Sequence, residues 1–317
     1  MKAFKGQVAI ITGAASGIGY GLAERCAREG MKVVLADVEQ AALSRAEGQV
    51  RAAGTETLAV RTDVSKREDV EALAQKTLDA FGAVHLVFNN AGVTVPTNIW
   101  KSTWADWEWV IGVNLWGVIH GVRVFVPIML DQGTECHIVN VASIHAVMSG
   151  PASGIYKVTK HGVLTLSETL YHELIEIGAK IGVSVLVPGR VESRLADAER
   201  NRPREEREDP VQVRLRAENA RRIQRVLQTA DKGGLGEMSP ERVAEVTFNG
   251  IRRNLFYILP DPKVKFVAQL RMEDLLLERN PTNPLVSRSW IRSLLLKTVL
   301  PLPGWGSLLT RGARARS

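Results

Sequence analysis

Tyr156 and Lys160 stand four residues apart in Gly154-Ile155-Tyr156-Lys157-Val158-Thr159-Lys160. On a helix that spacing puts both side chains on one face, where an ammonium can stabilise a phenolate. A free tyrosine ionises near pH ~10, so bringing it toward neutrality means favouring the phenolate by roughly 4 kcal/mol, at about 1.4 kcal/mol per pH unit. A tyrosine tuned in this way is a general acid and base. The pair alone is a weak signal, because Tyr-x-x-x-Lys also arises on solvated helix faces.

A second constellation lies near the N-terminus, in Val8-Ala9-Ile10-Ile11-Thr12-Gly13-Ala14-Ala15-Ser16-Gly17-Ile18-Gly19. A buried-strand run leads into a glycine-rich turn that opens a helix. The glycines allow a tight turn and close backbone approach, and the helix N-terminus offers unpaired N–H groups and a positive dipole end to a pyrophosphate.

Both constellations need a scaffold. Apolar, β-branched runs at 8–11, 32–36, 58–61, 84–88, 138–141, 183–187 and 256–259 read as strands. The stretches 18–29, 40–53, 66–81, 103–130, 156–177 and 240–253 read as helices. Strand and helix alternate, which implies an α/β fold with a doubly wound parallel sheet of about seven strands and helices on both faces. Ligands of such sheets sit beyond the carboxyl ends of the strands. Residues Gly13–Gly19, Asp37, Asp63, Asn90–Gly92, Ser143 and Pro188-Gly189 all follow expected strands and should converge on one edge.

The glycine spacing, Thr-Gly-x-x-x-Gly-x-Gly over Thr12–Gly19, together with Tyr156 and Lys160, resembles the short-chain dehydrogenase/reductase family. Further matches follow in that family's order: Asn89-Asn90-Ala91-Gly92, Asn114 after Val113, Ser143 thirteen residues before Tyr156, and Pro188-Gly189. The resemblance spans roughly residues 5–262. It implies that Asn114, Ser143, Tyr156 and Lys160 are catalytic. Ser143 would hold the substrate oxygen, Tyr156 would move the proton, and Lys160 would lower the tyrosine pKa and bond the nicotinamide ribose. Asn114 would kink its helix and anchor a water that relays protons to the lysine. The implied dinucleotide contacts are Gly13, Ser16, Gly17, Ile18, Gly19, Asp37, Asp63, Val64, Asn90, Ala91, Gly92, Tyr156, Lys160, Pro188, Gly189, Val191 and Ser193.

Asp37 ends the second strand run, eighteen residues after Gly19. A carboxylate there accepts both ribose hydroxyls and repels a 2′-phosphate, although an N-cap for the next helix is its ordinary structural role. Ser16 and Val38-Glu39 occupy the positions where NADP-preferring relatives carry a base, and no nearby cation is evident, so NAD is expected over NADP. Two positions depart from the family pattern: Arg190 follows Pro188-Gly189, and Ser193 stands where threonine is common. Residues 93–99, 144–149 and 190–196 are the pocket candidates, of mixed but partly apolar character, with His145 the obvious polar member. They suggest a secondary alcohol or ketone with a hydrophobic body.

Composition narrows the classes. The chain has 317 residues, 45% of them hydrophobic, which suits one large domain over residues 1–262 followed by a C-terminal extension over 263–317. Residues 192–239 form a densely charged insertion, which in this family covers the substrate pocket as a lid. Cys26 and Cys136 give no disulfide framework, and the six histidines show no ligand spacing, so no metal is expected. The net charge of +7 comes without any nucleic-acid motif. Polar residues 1–6 and the lack of an 18-residue apolar run point to a cytoplasmic protein.

From Leu285 onward there are six basic residues and no acidic one, and Trp290, Ile291, Leu294 and Leu295 share one helical face. That tail could lie on an anionic membrane surface or dock on its own or a neighbouring subunit. The resemblance also implies a homodimer or homotetramer packed through helices 103–130 and 156–177. The expected function is an NAD(H)-dependent interconversion of a secondary alcohol and a ketone. The alternative is a catalytically silent dinucleotide-binding or interaction protein on the same fold.

Overall fold

Seven parallel strands form one sheet in the order β3-β2-β1-β4-β5-β6-β7. The strands are β1 Val8–Thr12, β2 Lys32–Asp37, β3 Thr57–Arg61, β4 Leu86–Asn89, β5 Cys136–Val141, β6 Ile181–Leu186 and β7 Tyr257–Ile258. The flanking helices are α1 Gly17–Arg28, α2 Gln40–Ala52, α3 Arg67–Phe81, α4 Trp104–Ile111, α5 Gly117–Gln132, α6 Gly154–Glu176, α7 Pro240–Arg252 and α8 Lys263–Leu276. The computed structural model describes residues 1–203 and 237–284. The middle of the expected lid and the whole basic tail from Leu285 lie outside the described residues.

The central strands are apolar on both faces because helices cover both. Ile11, Leu35 and Phe88 pack under α1 and α7, while Ile10, Val34 and Val87 pack toward α3 and α5. All six are fully buried, and each such side chain contributes roughly 1.5–3 kcal/mol over an exposed one. The strand order reverses between β1 and β4, so the crevice for a ligand opens at their carboxyl ends.

The single helix expected over 103–130 is interrupted. Between α4 and α5 the turn Gly112–Trp116 is π-helical and centred on Asn114. Such wide turns accommodate a residue whose side chain is needed elsewhere, and Asn114 is fully buried against the loop after β4. The run Trp104–Gln132 is long and apolar enough to cross a membrane. Its Val118, Phe125 and Met129 are instead buried in the two-layer core.

The described part of the extension expected to begin at 263 packs on the rest of the domain. Val264 of α8 is buried in the cluster with Val163 and Val185, and Arg271 meets His161 of α6.

Candidate active site

The loop after β1 is tightly packed. Gly13 has φ +65°, and a Cβ there would lie 2.9 Å from the Ala91 Cα. A Cβ on Gly19 would fall 2.1 Å from the Gly13 carbonyl oxygen, so any side chain would push α1 away from β1. Asn90 fastens this loop, its Nδ2 donating to the Thr12 carbonyl at 2.8 Å while its own N–H donates to Thr12 Oγ1 at 2.9 Å. Helix α1 starts at Ser16 without a side-chain cap and with no acidic residue in its first turn. Its first N–H groups are therefore free of side-chain competition and suited to an anion.

Asp37 closes the next strand. Its Oδ2 accepts the Ala15 N–H and its Oδ1 the Glu39 N–H, each at 3.0 Å. The carboxylate ties the glycine loop to the end of β2 and retains further lone-pair sites for two hydroxyls. Burial pushes its pKa up, countered by these N–H groups. Glu39, not Asp37, is the N-cap residue of α2, and its side chain makes no cap bond.

Glu39 carries the first correction to the sequence reading. Its carboxylate is held by Arg200, whose Nε and Nη2 reach Oε1 at 2.9 and 2.8 Å, with Arg194 Nη1 at 3.6 Å from Oε2. Cations do reach the adenosine end of the crevice, from 155 and 161 positions away in sequence. Nothing in the local sequence around Asp37 announces them.

The second group surrounds Tyr156. Ser143 is the N-cap of a short 3₁₀ turn, Ile144–Ala146, and its Oγ accepts the His145 N–H at 3.2 Å. The His145 ring stands edge-on to the Tyr156 ring, centroids 5.5 Å apart. Lys160 Nζ lies 5.5 Å from the centre of the Tyr156 ring and donates to the Val141 carbonyl at 2.8 Å. Asn114 clamps the loop after β4, accepting the Val93 N–H at 2.8 Å and donating to the Val93 carbonyl at 2.9 Å and Thr159 Oγ1 at 3.2 Å. Asn114 Oδ1 and Lys160 Nζ both flank Gly92, where an added Cβ would lie 3.4 and 3.7 Å from them.

Helix α6 begins in an unusual way. Ala152 and Ser153 both have left-handed backbones, φ 63° and 51°, a conformation that costs non-glycine residues energy. The buried Lys157 ammonium donates to the Pro151 and Ala152 carbonyls and holds the turn.

The titration state differs from the simple expectation of a depressed tyrosine. Burial pushes the Tyr156 phenol up to about 12, with the Ser143 hydrogen bond acting the other way. Burial pulls Lys160 down to about 8. Lys160 donates to the Val141 carbonyl rather than to the phenol. Burial also pulls His145 down to about 3, helped by Lys157 and His161, so it is neutral at physiological pH.

One cavity of about 1030 Å³ joins both groups. Of the expected site residues, Gly13, Ser16, Gly17, Ile18, Asp37, Asp63, Val64, Asn90, Ala91, Gly92, Ser143, Tyr156, Lys160, Pro188, Gly189, Val191 and Ser193 line it. Gly19 and Asn114 act from behind the wall. Arg190 lines the cavity and donates to Glu237 at 3.0 Å. Trp109 of α4 and Phe266 and Val267 of α8 also line it and were not anticipated.

The cradle fits a dinucleotide: glycines where a Cβ would collide, an uncapped helix N-terminus, and a carboxylate placed for ribose hydroxyls. A model described as short chain dehydrogenase matches residues 7–204. The chain belongs to the short-chain dehydrogenase family. It is 36% identical over 266 residues to a C alpha-dehydrogenase from Sphingobium sp. strain SYK-6, covering 84% of each chain. A CLA biosynthesis dehydrogenase/reductase from Lactiplantibacillus plantarum is 30% identical over 281 residues, 89% of this chain and 97% of that one. A short chain dehydrogenase/reductase from Burkholderia phymatum, solved in complex with NAD, superposes with a TM-score of 0.84 at 48% identity, covering 90% of this chain and 100% of the other. Members of this family are oxidoreductases, and this fold and cradle are theirs.

Proposed function

We propose that the protein is an NAD(H)-dependent dehydrogenase that interconverts a secondary alcohol and a ketone bearing a hydrophobic body. The observation that carries this reading is the presence of Ser143, Tyr156 and Lys160 on the wall of the same cavity as the glycine loop and Asp37. The similarity to the NAD-bound Burkholderia protein supports the choice of cofactor. Trp109, Ile144, Met148, Phe266 and Val267 also line the cavity and support an apolar substrate body.

NAD bound in the cradle supplies the acceptor for the hydride that leaves the carbinol carbon. Ser143 Oγ donates to the substrate oxygen and fixes its position. Tyr156 exchanges the hydroxyl proton through its phenolic oxygen. With a pKa of about 12 in the protein alone, Tyr156 is a ready proton donor for ketone reduction. Alcohol oxidation needs the phenolate, which the Lys160 ammonium 5.5 Å from the ring centre would favour. Asn114 holds the Val93 backbone beside Lys160 and keeps the proton route in register.

We also propose self-association through the outer faces of α5 and α6. Trp116 of the turn before α5, Leu130 of α5 and Val158 of α6 are exposed, and such apolar surface favours burial against a second copy.

Purified protein mixed with NAD and a panel of secondary alcohols should produce NADH absorbance. Silence across aliphatic, alicyclic and aryl alcohols, with NAD binding intact by calorimetry, would favour the silent dinucleotide-binding alternative.

A further inference from the structure

The pairing of Glu39 with Arg200 bears on how the crevice selects its dinucleotide. Glu39 lies two residues beyond Asp37, its N–H bonds the Asp37 carboxylate, and both line the cavity. Arg194 and Arg200 come from the 3₁₀ segment after β6, Leu195–Asn201 and the residue before it. Arg200 is mostly buried, with 19% of its side chain exposed, and Glu39 shows 26%. Its remaining nitrogen, Nη1, donates to the Arg194 and Asp197 carbonyls at 2.8 and 2.7 Å. The guanidinium fork is thus occupied on every nitrogen. Arg194 divides its charge between Glu39 and Asp197 Oδ2, the latter at 3.2 Å.

Taken by formal charge, Asp37 and Glu39 are matched by Arg194 and Arg200. Simple repulsion by two carboxylates therefore does not account for discrimination against a 2′-phosphate. What matters is whether the guanidinium donors are available, because an arginine fork binds phosphate strongly only when its N–H groups are free.

We propose that Glu39 is a cofactor-specificity residue: by occupying Arg200, with Arg194 beside it, it withholds from the ribose 2′ position a phosphate site that the chain otherwise contains. This rests on the reading of the crevice as a dinucleotide site. Removing the Glu39 charge releases Nε and Nη2 of Arg200 from a carboxylate, while Nη1 stays on its two carbonyls and Arg194 keeps Asp197. Removing Asp37 leaves the fork engaged.

The test is equilibrium binding of 5′-AMP and of adenosine 2′,5′-bisphosphate to the full chain by calorimetry, which needs no turnover. Glu39→Gln should tighten the bisphosphate about tenfold relative to 5′-AMP. The double variant Glu39→Gln with Arg200→Met should lose that gain. Arg200→Met alone, which leaves Glu39 without its main partner beside Asp37, should weaken the bisphosphate about tenfold while 5′-AMP binding persists. An unchanged ratio in Glu39→Gln, or a gain that survives the loss of Arg200, overturns the assignment. Should Glu39→Gln not fold, the Arg200→Met ratio decides alone. Wild-type protein that binds neither 5′-AMP nor NAD overturns the dinucleotide reading itself, and is distinct from 5′-AMP binding with an invariant ratio.

Discussion

The two halves of the crevice are assembled by different physics. On the glycine-loop side, position is set by backbone: Gly13 and Gly19 let α1 and β1 approach, Asn90 bonds the Thr12 carbonyl, and Asp37 bonds the Ala15 N–H. On the opposite side, between β6 and α7, position is set by long charged side chains. Arg202 and Asp106 form an ion pair at 2.7 Å in which neither side chain has any exposure, with Trp109 stacked 4.3 Å from the guanidinium. Arg200 reaches Glu39 and Arg190 reaches Glu237. A wall of backbone is rigid because its donors have nowhere else to go. A wall of side-chain pairs is held only while both partners remain charged and in place.

The largest expected effect lies where the two halves meet. Tyr156→Phe keeps the ring packing and removes the transferable proton, so kcat/KM should fall by about a thousandfold with NAD affinity unchanged. Near-normal turnover by stopped-flow would show that the proton travels elsewhere and that the halves do not meet at Tyr156.

Next comes the charged wall. Arg202→Met leaves Asp106 buried without its main counter-charge and should cost about 3 kcal/mol of stability by urea denaturation. The comparison breaks if NAD binding to the folded variant drops as sharply as stability, since the backbone-built side should not feel this change.

Asp37→Ala acts on the other wall. It removes a ribose acceptor and a tie to the glycine loop, and should erode an expected preference for NAD over NADP of about a hundredfold in kcat/KM by weakening NAD, while Arg200 stays engaged with Glu39. Equal use of both cofactors by the unmodified protein would show that Arg194 and Arg200 are not occupied in solution.

The smallest effect, measured per pH unit, belongs to the scaffold shared by both walls. His137 on β5 is fully buried, its Nε2 bonded to Ser184 Oγ, and burial pulls it down to about 3. A histidine depressed in the folded state stabilises fully above its unfolded pKa. That stability is lost as pH falls from ~6.5 toward the folded value. Unfolding free energy should drop by roughly 1.4 kcal/mol per pH unit in that window, and His137→Asn should flatten the slope. An equal slope in the variant would move acid lability to the ion pairs and sharpen the contrast between the walls.

The same contrast explains what the sequence disclosed. The glycine loop, Asp37, Asn90, Ser143, Tyr156 and Lys160 were legible because backbone geometry demands small or specific residues at short, fixed spacing. The strands were legible because a sheet covered on both faces needs unbroken apolar runs, as at Ile10 and Ile11. Arg200 with Glu39 and Arg202 with Asp106 were not, since their partners lie 161 and 96 positions away and a surface arginine reads the same as a buried one. The helical pattern of Trp104–Gln132 runs unbroken through the π turn, and the kink at Asn114 was legible only through the family resemblance. Phe266 and Val267 lay beyond the last expected strand, where no motif extends.

The left-handed pair Ala152-Ser153 sets an angular phase. An α-helix advances ~100° per residue, and α6 begins immediately after this turn, at Gly154. Adding or removing one residue between Gly150 and Ser153 would therefore swing Tyr156 by more than a quarter of a revolution about the helix axis, in one sense or the other, and away from Ser143. The thirteen positions from Ser143 to Tyr156 are in this sense a protractor as much as a length, with Lys157 as the pin that keeps it from slipping.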